Sequence, residues 1–380
     1  MKIGAPDPRA GQVIAARGVD SIDLTVCIYA YSRFIVISPM TIPKFSLAAI
    51  VTSALICIHP SAFAADAGFA IEKTANGGVT VKVNGQLFAE YFVDQANKPY
   101  LAPVFGPTGK QMTRNFPMKV IEGEQHDHPH HRGICFGNEG MAGVDTWMEP
   151  SSLKDSEAKK PGSTSARAKT IGFIKHREYK DLKADAKEAV IAAVGDITDV
   201  DGKKLLEEEH RMTFRADADT RTIDFDLDYI ASEGPITIKD AKDAGFSIRV
   251  PSEMAVEIEK NKKGSGHIIN SEGITDADAW SKRAKWCDYH GTVGGEALGV
   301  AMLNHPSSFR FPTPWHVRTY GLFTANPFGM HSLDKTLADG TFELKKGERV
   351  KLRHRLIFHK GDEKAAKIAE AFEAYAKETK

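Results

Sequence analysis

The chain is 380 residues long, with 50 basic and 50 acidic side chains, a formal net charge of zero and 42% hydrophobic residues. That balance gives no electrostatic case for nucleic acid or anionic lipid. It leaves ample apolar material for one large domain or two ordinary ones.

Residues 1 to 64 read as leader. Met40-Thr41-Ile42-Pro43-Lys44 is a short basic start, Phe45 to Ile58 is apolar, and Ala62-Phe63-Ala64 is a small-residue cleavage signal. Residues 40–64 are therefore expected to be a secretory signal peptide, and the product periplasmic or secreted. Residues 1–39 precede that start and read as a mis-annotated extension. The alternative, a membrane anchor in the apolar stretch Val26 to Pro39, is opposed by Arg33. No later segment approaches the roughly 20 apolar residues of a membrane helix, so no stable membrane insertion is expected. Residues 65–380 are expected to be one domain. Removing the leader's five basic and three acidic residues leaves 45 minus 47, a net charge of −2. Cys27 and Cys57 leave with it; Cys135 and Cys287 either pair or stay as buried thiols.

The domain reads as strands. Val79 to Val83 and Gln86 to Tyr91 flank Asn84-Gly85, a hairpin signal because both turn residues tolerate positive φ. Four of the 14 histidines follow in one cluster, His126-Asp127-His128-Pro129-His130-His131, and then come Arg132-Gly133. Imidazole moves protons near neutral pH and is the commonest nitrogen ligand of transition metals, so the cluster marks a functional neighbourhood. In a regular strand His126, His128 and His130 would share one face at roughly 6.6 Å spacing, which permits an H-x-H pair but needs a bend to bring three to one ion. A zinc or copper site would take His126 and His128 with His130 or His131 and a carboxylate such as Glu122, Glu124 or Asp145. The metal-free alternative makes one histidine a general acid or base and Arg132 a grip on a substrate carboxylate or hydroxyl. A polar loop with surface histidines is the bland third reading.

Residues 151 to 168, rich in Lys, Ser, Ala and Gly, read as a mobile loop. Ile223, Phe225, Leu227 and Tyr229 alternate with Asp224, Asp226 and Asp228, placing the carboxylates on one sheet face that reads as solvated. A second dense region runs from His305 to Met330. There Trp315, His316, Arg318 and Tyr320 stand among Pro306, Pro312 and Pro314, a stiffened loop suited to sugar stacking and hydroxyl recognition, although sandwich packing also accounts for Trp315 and Tyr320. Val350, Leu352, Leu356 and Phe358 share a face with His354, which reads as a core histidine, while Lys351, Arg353 and Arg355 take the other. Turn signals at Asp201-Gly202, Asp339-Gly340 and Lys346-Gly347 fit an antiparallel sandwich. From Asp362 onward the spacing of Ala365, Ile368, Ala369, Phe372, Tyr375 and Ala376 predicts an amphipathic helix.

His128 to Gly133 with Ile134-Cys135-Phe136, Gly143 to Trp147, Asp243 to Phe246, Asn304-His305-Pro306 and Thr313 to Gly329 resemble a family of exported bacterial proteins labelled PmoA, after methane oxygenase. The resemblance covers most of residues 65–380. It implies an all-β fold, a large antiparallel β-sandwich similar to galactose mutarotase, with the C-terminal α-helix added. That fold serves sugar epimerases, glycosidases and polysaccharide lyases. By analogy a histidine and a carboxylate would exchange protons with a small-molecule or oligosaccharide substrate, drawn from His130, His131, His290 or His316 and from Glu124, Asp145 or Asp288. Arg132, Trp147, Asn304, His305, Trp315, Arg318 and Tyr320 would hold the sugar. The competing expectations are a zinc or copper protein and a sugar-binding protein without catalysis.

Overall fold

A computed structural model describes residues 68–153, 168–259 and 262–379. The leader and most of the Lys- and Ser-rich loop lie outside the described residues. Among the described residues, no helix is long and apolar enough to cross a membrane.

The chain opens with β1 (Phe69–Lys73), β2 (Val79–Val83), β3 (Gln86–Phe92), β4 (Tyr100–Val104) and β5 (Ile134–Asn138). Asn84 and Gly85 both take positive φ, 50° and 75°, so the β2–β3 hairpin turns where the sequence signals it. Four long strands follow: β6 (Phe173–Ala184), β7 (Ala189–Thr198), β8 (Lys204–Ala216) and β9 (Thr220–Ile230). Then come β10 (Ile236–Ile238), β11 (Ala244–Arg249), β12 (Glu257–Glu259), β13 (Lys262–Lys263), β14 (His267–Asn270), β15 (Trp286–Val293) and β16 (Glu296–Asn304). The last strands are β17 (Trp315–Val317), β18 (Leu322–Ala325), β19 (Phe342–Leu344) and β20 (Arg349–Lys360), before the helix α1 (Ile368–Tyr375).

Two eight-stranded sheets form the sandwich. The first runs β1-β2-β3-β4-β5-β11-β18-β17 and the second β14-β15-β16-β20-β9-β8-β7-β6, while β10–β19 and β12–β13 are two-stranded ribbons. All the strand pairings are antiparallel. Alternate residues of facing strands interdigitate in one core, including Val79, Phe88, Phe136, Phe246 and Phe323 from the first sheet. Met212, Phe214, Tyr229, Val300 and Phe358 meet them from the second. Each such side chain contributes about 1.5–3 kcal/mol by leaving water. The fold is thus the all-β, two-sheet sandwich expected, with its helix at the C-terminus.

Two expectations change, and one open alternative is resolved. Asp224 and Asp228 are buried rather than solvated. The β9–β20 register sets Asp224 against Arg355, Asp226 against Arg353 and Asp228 against Lys351. Arg355 Nε and Nη2 and Arg215 Nη1 donate to Asp224, and Arg353 Nη2 lies 2.6 Å from Asp228. The helix begins at Ile368, later than its periodicity suggests, because Lys367 adopts a left-handed φ of 53°. It docks Ile368, Phe372 and Tyr375 on Trp286, Ala301, Leu303 and Ile357, on the face of the second sheet turned away from the core. Cys135 and Cys287 do not pair; both are free and buried, one in β5 and one in β15.

Candidate functional site: a histidine cleft on the outer face of the first sheet

Strand parity places the site. Phe136, Phe246, Phe323 and Trp315 point into the core, so their neighbours Cys135, Ser247, Thr324 and His316 point away from it. The registers align these four in one row across β5, β11, β18 and β17. Arg249 follows two residues after Ser247 on the same face. Over this face fold the loop before β5 and the segment after it, which carries Trp147.

A cleft of about 410 Å³ results, lined by His128, His130, His131, Trp147, Met148, Lys242, Asp243, His316, Arg318, Tyr320 and Leu322. The two histidine-bearing regions, far apart in sequence, meet here. Gly133 makes the approach of the 128–131 loop feasible, since at its φ of +45° a Cβ would stand 2.1 Å from the Leu101 carbonyl oxygen.

A buried charge network anchors that loop. Arg114 and Arg249, whose side chains are fully buried, both bond Asp127 Oδ1 at 2.7 Å. Arg249 also donates to Gln125 Oε1 at 2.9 Å and to His131 Nδ1 at 3.2 Å. His128 bonds Asp127 through Nδ1, and its ring lies parallel to those of His131, centroids 4.8 Å apart, and Tyr320, 5.2 Å apart. Trp147 meets His131 edge-on at 5.6 Å. Arg318 lies over the rings of Trp280 and Tyr320, each at 5.7 Å, and has no carboxylate partner among the described residues.

Two imidazoles have assigned tautomers. A guanidinium only donates, so His131 Nδ1 accepts from Arg249 and its proton sits on Nε2. A carbonyl only accepts, and His316 Nδ1 lies 2.9 Å from the Lys242 carbonyl oxygen, so its proton is on Nδ1 and Nε2 holds the lone pair. Burial lowers the pKa of both. For His131 the neighbouring His130 and Arg249 add to the effect and hold it well below the ordinary histidine value. For His316 the value falls to about 4, although the Asp243 carboxylate, 3.8 Å from Nδ1, pulls the other way. Both rings are neutral at pH 7, one offering an N–H and the other a lone pair.

The remaining candidate residues lie elsewhere. Glu124 accepts the backbone N–H groups of Asn115 and Phe116, each at 2.8 Å, and so shapes its own loop. Asp145 accepts those of Trp147 and Met148, each at 2.9 Å, which positions Trp147 rather than a substrate. Arg132 grips buried Glu149 through Nε at 2.9 and 3.0 Å. Trp315 is core, its indole donating to the Ala284 carbonyl. Asn304 and His305 are buried at the β16 end, accepting from the Thr313 N–H and bonding Ser307 and the Glu378 carbonyl. His290 belongs to the second sheet, paired with Asp288. His126 stacks on Phe116, centroids 4.9 Å apart, and bonds the Ile121 carbonyl, away from the cleft.

This arrangement does not favour a metal at the histidine cluster. His126 is elsewhere, and His131 Nδ1 faces a guanidinium. Arg249 and Lys242 escaped sequence reasoning, and Asp243 stood there only in a family motif without a role, though an arginine closing the apolar strand Gly245 to Ile248 was a visible signal.

Fold and cleft together define a two-sheet antiparallel sandwich with a basic, histidine-rich cleft roofed by loops. The chain belongs to a family of unknown function, DUF6807, whose model matches residues 78–373. No curated protein matches it. Among solved structures, it is similar to a glycoside hydrolase family 36 α-galactosidase from Geobacillus stearothermophilus, at 9% identity and a TM-score of 0.38, over 77% of this chain and 41% of that one. It is also similar to galactose mutarotase-like proteins from Clostridium acetobutylicum, at 10% identity, TM-score 0.36 and coverage of 77% and 98%, and from Lactobacillus casei, at 7%, 0.31 and coverage of 77% and 100%. The chain thus spans less than half the length of the galactosidase. At these scores the chemistry has to be argued from the cleft itself.

Proposed function

We propose that this is an exported carbohydrate-active enzyme that removes a proton from a carboxylate-bearing sugar, leading to epimerisation or to β-elimination. The observation that carries the reading is the complementary tautomer pair, His316 and His131, beside Arg318, which has no carboxylate partner among the described residues. His316 Nε2 takes the proton from the carbon next to the carboxylate, and the C–H electron pair moves onto the carboxylate oxygens. Arg318 neutralises that carboxylate, and the His131 Nε2–H donates to the oxygen where charge collects, as a neutral electrophile. Asp243 steadies the imidazolium that forms on His316. Delivery of a proton from solvent to the opposite face, with His316 releasing its own to solvent, gives the epimer; expulsion of a β-oxygen, which takes up the proton from the His316 imidazolium, gives an unsaturated sugar. Trp147 and Tyr320 line the cleft wall against which the sugar would rest.

The test is deuterium exchange. Uronate-containing oligosaccharides incubated with the protein in D2O should take up deuterium at one ring carbon, or yield an ultraviolet-absorbing unsaturated product. His316→Ala should lower that rate by about 10²–10⁴-fold, the usual share of a general base, and Arg318→Gln should raise KM. Neither exchange nor product from any uronate, with saturable binding intact, would instead make the cleft a non-catalytic sugar-binding site.

A further inference from the structure

A second group of ligating side chains lies on the other sheet, far from the cleft in the strand order. The registers place His267, His290, Gly299 and His359 opposite one another across β14, β15, β16 and β20. Gly299 and His359 share parity with Ala301 and Ile357, which pack under α1, so the row faces outward beneath the C-terminal segment. Asp288, two residues before His290, faces the same way and is fully buried. Its Oδ1 lies 2.7 Å from His290 Nδ1 and its Oδ2 2.7 Å from His359 Nε2. Glu363, in the turn that leads into α1, brings Oε2 to 3.9 Å from His290 Nδ1.

Gly299 leaves the space these groups use. A Cβ there would stand 2.3 Å from His359 Cε1, 2.6 Å from Nε2 and 2.9 Å from the His290 Cβ. One donor atom each from Asp288, His290 and Glu363 lies within 4.8 Å of the others. Ligands about 2.0–2.1 Å from a tetrahedral ion stand about 3.3 Å apart; the observed 2.7 and 3.9 Å bracket that value. A distance of 3.9 Å is also too long for a hydrogen bond.

We propose that Asp288, His290 and Glu363 bind a divalent transition-metal ion of the zinc class. His359 orients the Asp288 carboxylate from behind, the arrangement in which a neighbouring hydrogen bond fixes a ligand's direction. Binding replaces the proton shared by His290 and Asp288 with the ion, and a water completes four-coordination. Because Glu363 comes from the C-terminal segment and the other two from β15, the ion ties α1 to the second sheet. The site is separate from the cleft, and its fate is independent of the reaction proposed there.

Untagged full-length chain should be dialysed against zinc chloride at about 1 µM free ion and analysed for metal and thermal stability. The expected result is about one zinc per chain, a raised Tm, and loss of both in Glu363→Gln, a half-buried position whose change leaves the core intact. His128→Ala, at the cleft, should bind zinc like the parent. Absence of zinc from the parent, or its retention by both Glu363→Gln and His290→Ala, would overturn the proposal. Loss in His128→Ala with retention in Glu363→Gln would move the ion to the cleft and overturn it equally.

Discussion

Asp127 shows how much one exposed-looking side chain can carry. It is flanked in sequence by two histidines and reads as part of a metal or catalytic cluster. In the fold it is the counter-charge to Arg114 and Arg249, both sealed from solvent. The hydrogen bond from His128 and the two guanidinium charges overcome the effect of burial and hold its carboxyl below the usual range. Asp127→Ala would leave two cations buried without an anion. Breaking such a pair costs about 3–5 kcal/mol, and the partial exposure of Asp127 puts the expected loss near 3 kcal/mol, read as a lower urea midpoint. The sequence located the histidine cluster but could not divide its residues between chemistry and support. Side-chain type alone nominated Glu124, Asp145 and Arg132; the first two accept backbone N–H groups of nearby residues, and Arg132 pairs with Glu149. Parity was available for one correction: once His316 faces outward, Trp315 must face the core.

At the scale of elements, local patterns were legible and cross-chain partners were not. Asn84-Gly85 specified its hairpin because turn chemistry lies in adjacent residues. The alternating aspartates of β9 gave the correct strand and faces. Their solvent exposure was misread because Arg353 and Arg355 come from β20, more than a hundred residues later, so neither stripe shows its partner when read alone. The consequence is measurable. Asp224 receives Arg355 and Arg215, so Asp224→Ala should destabilise by about 3 kcal/mol, whereas a solvated carboxylate would change stability by less than about 0.5 kcal/mol. The helix onset was similarly out of reach, since nothing in the periodicity announces a left-handed Lys367.

For the whole molecule, the two-sheet class followed from recurring short strands and turns, but the strand order did not, because β5 pairs with β11 across more than a hundred residues. Acid sensitivity is set at this scale too. Burial lowers His131, His316 and His354; His316 falls to about 4 and His354 to about 3, the latter with a further push from Arg353. Unfolded, all three bind protons as pH drops below the ordinary histidine value of about 6.5; folded, they stay neutral, so stability present above that pH is lost below it. His290 opposes them: burial lowers its pKa, but the Asp288 hydrogen bond and charge outweigh that and raise it, so it favours the fold as pH falls. From pH 6 to pH 5 His290 is already largely protonated in both states and adds little, so the uptake on unfolding lies between two and three protons, about 3–4 kcal/mol per pH unit. Urea unfolding should therefore show stability dropping by about that amount from pH 6 to pH 5, and a flat profile there would refute these burial assignments.

With export as proposed above, the free thiols of Cys135 and Cys287 would impose a race on the chain. Cys287 faces the core and is hidden when the sandwich closes, whereas Cys135 faces outward and is hidden only by the segments packed over the first sheet, beside Tyr100 and Ala102. Sheets of this non-local pairing form in about milliseconds to seconds, whereas disulfide formation takes about seconds to hours. Keeping both thiols free in that setting requires folding to come first. A mutant that delays closure would lose that race, and would be trapped by a covalent cross-link that the native architecture never contains.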